Sequence, residues 1–138
     1  MKPYSMSLAA LAAIALAGCA TANRAAPIDF PLTVQNNAAG SDAARFAAAL
    51  DRGAKGTHAF HSASEGEPGT VLVTIDSVRP MDLAQPARGF TYIATWSRGG
   101  EEIGRQEDDC LDGEVEACAK EAAETMYSHV YYFSRIRR

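Results

Sequence analysis

The sequence is poor in the residues from which metal and nucleophile centres are built. Three cysteines and three histidines in 138 residues leave little material for a multi-ligand metal site. No G-x-x-x-x-G-K or G-x-G-x-x-G run offers a phosphate cradle, no H-E-x-x-H offers a zinc helix, and no G-x-S-x-G shapes a nucleophile elbow. Basic charge is also in deficit: 13 Lys and Arg stand against 17 Asp and Glu, a net charge of −4. The clustered cations of a nucleic-acid footprint are missing, so no nucleic acid is expected as a partner. No apolar run reaches the roughly 20 residues that a membrane-spanning helix requires. What remains is an ordinary globular composition, 47% hydrophobic and 22% charged, at about the length of one domain.

The N-terminus carries the clearest signal. After Lys2, every residue from Leu8 to Ala17 is apolar, and Gly18-Cys19 follows. This run is too short to span a bilayer and matches the hydrophobic region of a secretory signal peptide, typically 7–15 residues. Leu16-Ala17-Gly18-Cys19 resembles the lipobox of bacterial lipoproteins: a branched aliphatic, two small residues, then cysteine. The resemblance covers about the first 20 residues and does not extend to the domain behind them. It implies that the Cys19 thiol receives diacylglycerol, that residues 1–18 are removed, and that no other cofactor is needed for anchoring. Ala20, rather than Asp, follows the cysteine. By the same resemblance this implies the periplasmic face of the outer membrane, with the inner membrane as the alternative because sorting rules differ between lineages. Two or more acyl chains, at ~0.8 kcal/mol per buried methylene, give a stable anchor.

Residues 19–31 have no period and include Pro27 and Pro31, and read as the lipidated cysteine and a tether. Residues 32–138 are then one domain. Leu32–Gln35 suits a short first strand. Ser41-Asp42 suits a helix start, with Ala43, Phe46, Ala47 and Leu50 on one stripe and Gly53 as its stop. Thr57–Ala63 has a poor strand pattern. Thr70–Arg79 alternates well, with Val71, Val73 and Ile75 on one face, and Pro80 ends it. Phe90, Tyr92, Ala94 and Trp96 alternate in a second strand, Phe90–Ser97. Gly99-Gly100 predicts a tight hairpin, and Glu102–Glu107 a charged returning edge strand. From Asp112 the period becomes helical: Val115, Cys118, Ala119, Ala122, Met126, His129, Val130 and Phe133 share a stripe. The expected fold is α+β: a small two-layer sandwich, mainly antiparallel, with two helices on one face of the sheet.

Candidates for chemistry are few. His58 and His61 are spaced for a shared metal only on a helix, which their neighbours do not build, so loop histidines are the simpler reading. Asp76 and His129 could meet beside a serine, but no shaped turn accompanies them. The ten acidic residues from Glu101 to Glu124, against only Arg105 and Lys120, read as solvated faces without the spacing of a calcium loop. Tyr131, Tyr132, Arg135 and Arg137 make an aromatic and basic patch that suits a protein partner or a lipid headgroup surface. The alternative is that these rings cap the packing of the last helix on the sheet.

With Cys19 consumed by lipid, Cys110 and Cys118 remain as an even pair in an oxidising compartment, and a disulfide is expected. A helix starting at Asp112 would carry Cys118 about 9 Å along its axis at ~1.5 Å per residue. A disulfide holds its Cα atoms within ~7 Å, so Cys110 must fold back or the helix must begin later. The other reading is a buried Cys118 and a free Cys110. The leading functional expectation is a small membrane-anchored envelope lipoprotein, non-catalytic, that binds or braces an envelope protein partner. The alternative is a periplasmic lipoprotein carrying a ligand or metal between the last helix and the sheet.

Overall fold

Period-two alternation and period-3.6 stripes divide the chain into a sheet and two helices in the computed structural model, which describes residues 29–82 and 88–136. Residues 1–18, expected to be a signal peptide, Cys19 of the expected lipobox, and Arg137 lie outside the described residues. The elements run β1 (Phe30–Asn36), α1 (Ser41–Gly56), β2 (Phe60–Ser62), β3 (Val71–Pro80), β4 (Gly89–Arg98), β5 (Glu101–Leu111), a 3-10 turn (Asp112–Glu114) and α2 (Val115–Ile136). The sheet order is β2-β1-β3-β4-β5. The long β3–β4 and β4–β5 ladders are antiparallel, while β1 pairs parallel with both β2 and β3. This is a small α+β fold.

Side-chain alternation decides which face the helices cover. Val71, Val73 and Ile75 of β3 and Phe90, Tyr92, Ala94 and Trp96 of β4 are buried, while their neighbours are only half-covered. The buried set meets Phe46 of α1, whose ring is 4.2 Å from Tyr92 and 5.8 Å from Phe90 between centroids. It also meets α2 through Ala119, Ala122, Ala123, Met126 and Val130. Burial of each large apolar side chain stabilises by roughly 1.5–3 kcal/mol, so this inner layer dominates the stability of the domain. These side chains of α2 and the sheet belong to one buried cluster.

Three local expectations are corrected. The first strand begins earlier than Leu32: β1 starts at Phe30, which is buried with Pro31 and Leu32. Pro31 is tolerated because it pairs with His61 of β2 at a level where β3 has not yet begun; β3 pairing starts at Leu32–Val71. Ser41 is the first helical residue, and Gly40 takes the cap position without a side-chain bond. Gly53 does not stop α1, which continues to Gly56. A β-carbon at Gly53 would stand 3.4 Å from the Lys120 backbone nitrogen, an ordinary contact distance, so α1 passes close to the α2 backbone here. Thr57 closes the helix, its hydroxyl donating to the Ala54 carbonyl at 2.6 Å.

The hairpin follows its sequence. Gly99 and Gly100 have φ of 60° and 80°, the doubly positive signature of a type I′ turn. The returning strand β5 runs on to Leu111 and forms the sheet edge. A bulge displaces its register between Trp96 and Ser97, and Gly104 faces Trp96 directly. A β-carbon at Gly104 would fall 2.2 Å from Trp96 Nε1 and 2.6 Å from His129 Nδ1. Only a residue without a side chain lets the indole lie against this strand.

Candidate functional site

The start of β1, the β4–β5 hairpin and the end of α2 converge at one end of the molecule. Arg98, the last residue of β4, joins them: its Nε donates to the Gly69 carbonyl at 2.9 Å and its Nη1 to Ser134 Oγ at 2.8 Å. Its guanidinium carbon also lies 5.3 Å from the centre of the Phe30 ring, within cation–π range. An aromatic series leads outward from there. Phe30 and Phe60 are 6.1 Å apart, and Tyr127 packs on both at 6.2 and 6.0 Å. Tyr131 follows at 6.0 Å from Tyr127, and Tyr132 at 6.2 Å from Tyr131.

Helical spacing sorts these rings. Tyr127 and Tyr131 are one turn apart and half-buried, capping the packing of α2, whereas Tyr132 points away and is 65% exposed. Ile136, one turn beyond Tyr132, is 81% exposed. Arg135 folds its guanidinium over the Tyr131 ring, 4.7 Å from its centre. Of the residues expected to form a patch, Tyr131, Tyr132 and Arg135 therefore do stand together. Phe30, Phe60, Arg98 and Ile136 were not anticipated there. Only Ile136 had a visible sequence signal, an apolar residue set between Arg135 and Arg137.

Beside this end lies a charged cluster. His61 of β2 has Nε2 2.9 Å from Glu67 Oε1 and Nδ1 2.9 Å from Asp29 Oδ2. The Nδ1 contact is an ion pair without hydrogen-bond alignment. Asp29 first and Glu67 second hold the His61 pKa above its ordinary 6.5. Glu67 is in turn held below its ordinary range, chiefly because the Ser64 backbone N–H donates to it at 2.8 Å, and then by His61. Both imidazole nitrogens face carboxylates. His61 is thus a charge link between Asp29, the residue before β1, and the loop before β3.

The other candidates do not assemble. His58 sits in the loop before β2 at φ 58° and exposed, three residues from His61 but in a different backbone setting. Asp76, at the β3 bulge, accepts a bond from Thr95 Oγ1 at 2.5 Å on the outer face of the sheet. His129, exposed on α2, has its ring 5.3 Å from that of Trp96, whose side of the sheet is opposite to that of Asp76. Burial, and then Asp108 and Glu121, push the Tyr92 phenol well above its ordinary range, so it stays protonated and accepts a bond from Gln106 at 3.0 Å. Part of the acidic stretch is paired across the helices, Asp112 with Arg45 at 3.1 Å and Glu116 with Arg52. Among the described residues no three His, Cys, Asp or Glu side chains are grouped to hold a metal. No helix among them is long and apolar enough to cross a membrane.

Cys110 and Cys118 stand at disulfide distance, with Cα atoms 6.0 Å apart. The later helix start reconciles this with the length of a helical rise: the 3-10 turn occupies Asp112–Glu114, and Cys118 lies in the first turn of α2. The pair ties the buried end of β5 to the helix that returns over it.

These features define a small α+β domain with an aromatic and basic tip where the chain enters the fold. Compared with protein-family models, curated proteins and solved structures, the chain matches none.

Proposed function

We propose that this chain is a small envelope lipoprotein, acylated on Cys19, whose domain acts without catalysis as a binding or bracing module. The reading places it on the outer membrane facing the periplasm. One observation carries it: ten apolar residues, Leu8–Ala17, run directly into Gly18-Cys19 behind a basic start. That order supplies a signal peptide for export and a thiol flanked by small residues for acylation. The cysteine pair Cys110–Cys118 supports the same compartment, since disulfides persist where thiols are oxidised. The tip of α2 supports contact with another body, because two of its large apolar side chains, Tyr132 and Ile136, stand well outside the core.

The test is Cys19→Ser in cells fed labelled fatty acid. The wild-type chain is expected to take up label and to lose residues 1–18, and the variant to stay unlabelled as precursor. Equal label in both would refute the assignment. Crosslinking in intact envelopes, followed by identification of the attached protein, tests the bracing role.

A further inference from the structure

The tip of α2 lies at the end of the domain where the chain leads back toward Cys19, and this coincidence has a physical consequence. Asp29 and Phe30 open β1 beside Arg98, and Arg98 holds Ser134 of α2. Ten residue steps separate Asp29 from Cys19, a reach of at most roughly 33–36 Å when fully extended. A domain near 100 residues has a radius of gyration of about 13 Å, so it measures roughly as much across as that reach. The far end of the domain could meet the bilayer only near full stretch of the connection, whereas the end bearing Tyr132 and Ile136 could meet it with the connection short.

We infer that this tip seats on the headgroup layer of the same membrane that holds the lipid of Cys19, with an anionic phospholipid surface as its ligand. The inference rests on the lipoprotein reading above. Its chemistry is that of an interface. Tyr132 has an apolar ring and a polar hydroxyl suited to the headgroup level, and Ile136 suits the acyl boundary beneath it. Arg135 is exposed beside them with its guanidinium laid on the Tyr131 ring, and its long stem lets the charge swing from the ring to a phosphate while its methylenes stay in apolar surroundings. A protein partner fits less well. Specific protein interfaces use roughly 20–30 residues a side, far more than the two outward apolar side chains here. A membrane needs no such area, because the lipid already holds the domain at high local concentration and a weak second contact becomes intramolecular.

The experiment uses the full acylated chain, its lipid confirmed by mass, in vesicles of phosphatidylethanolamine and phosphatidylglycerol. Tyr132→Trp introduces a reporter indole, and the parent chain gives the background of Trp96, which is buried. The added indole is expected to be quenched by lipids with brominated acyl chains. Arg135→Gln in the same background should lower the seated population about fivefold, the effect of one headgroup-facing charge. Ile136→Trp provides a second reporter should Tyr132→Trp fail to fold. Identical emission in brominated and plain vesicles, with acyl chains present on Cys19, overturns the inference and leaves the lipoprotein reading standing. A chain with no acyl mass overturns both. Shielding of the tip in native envelopes but not in vesicles assigns it to a protein and also overturns the inference.

Discussion

Gly104→Ala makes the sharpest test of the packing because the sign of its effect depends on tertiary structure. In an open strand, replacing glycine by alanine stabilises by about 0.4–1 kcal/mol through loss of unfolded-state entropy. Here the new methyl group would fall 2.2 and 2.4 Å from Nε1 and Cε2 of Trp96 and 2.6 Å from His129 Nδ1. His129 can swing away, since it lies on the exposed side of α2. Trp96 cannot, being 1% exposed and wedged between β5 and the helix. The overlap exceeds 1 Å against ordinary carbon contacts near ~3.5 Å, so the strand or the indole must move. Overpacking of this kind costs typically 1–3 kcal/mol, and the rigidity of the indole puts the expectation at about 2–3 kcal/mol. At roughly 4–8 °C per kcal/mol for a domain of this size, the melting temperature should fall by about 10–20 °C. Thermal unfolding followed by circular dichroism measures it. Gly113→Ala, where a β-carbon meets nothing within 4 Å, is the neutral control. Trp96→Phe removes the clashing edge, so the double variant should be less destabilised than the sum of the two single changes. A Gly104→Ala variant that melts as high as the parent would refute the placement of Trp96 against β5.

Two further outcomes are expected. Cys110 and Cys118 close a short loop across eight positions, and replacing both by alanine should cost about 2.5 kcal/mol by the chain-entropy relation; two alkylatable thiols in non-reduced mature protein would rule the bond out. The His61 link should show a pH window. Its raised pKa stabilises the fold below about 6.5 and is lost as pH rises through the folded value, while the lowered Glu67 pKa contributes above about 4.5 and is lost as pH falls. The stability gap between parent and His61→Gln should therefore be widest between pH 4.5 and 6.5. A gap that stays constant from pH 4 to pH 9, measured by thermal unfolding, would dismiss the link.

Local periodicity was enough to place much of this fold. The alternation of Val71, Val73 and Ile75, and of Phe90, Tyr92, Ala94 and Trp96, marks β3 and β4 because a half-buried strand repeats every two residues. Gly99-Gly100 marks the turn between β4 and β5 because two consecutive positive φ angles are inexpensive only for such residues. The stripe from Val115 to Val130 marks α2 through its 3.6-residue period. The expected anchor at Cys19 is likewise a property of consecutive residues. Tertiary structure decided what depends on distant partners. Pro31 resembles tether when read alone and becomes strand only because Phe60, Tyr127 and Arg98 close around Phe30 and β3 begins one position later. Gly53 reads as a helix stop and instead lies inside α1, where that helix passes the α2 backbone. Asp29, His61 and Glu67 meet because β1 and β2 pair in parallel, a pairing that leaves no mark in either short strand. The patch at the end of α2 was partly legible as Tyr131, Tyr132 and Arg135. That it lies where the chain enters the domain was not, since only the closing of the sheet brings residue 30 beside residue 134.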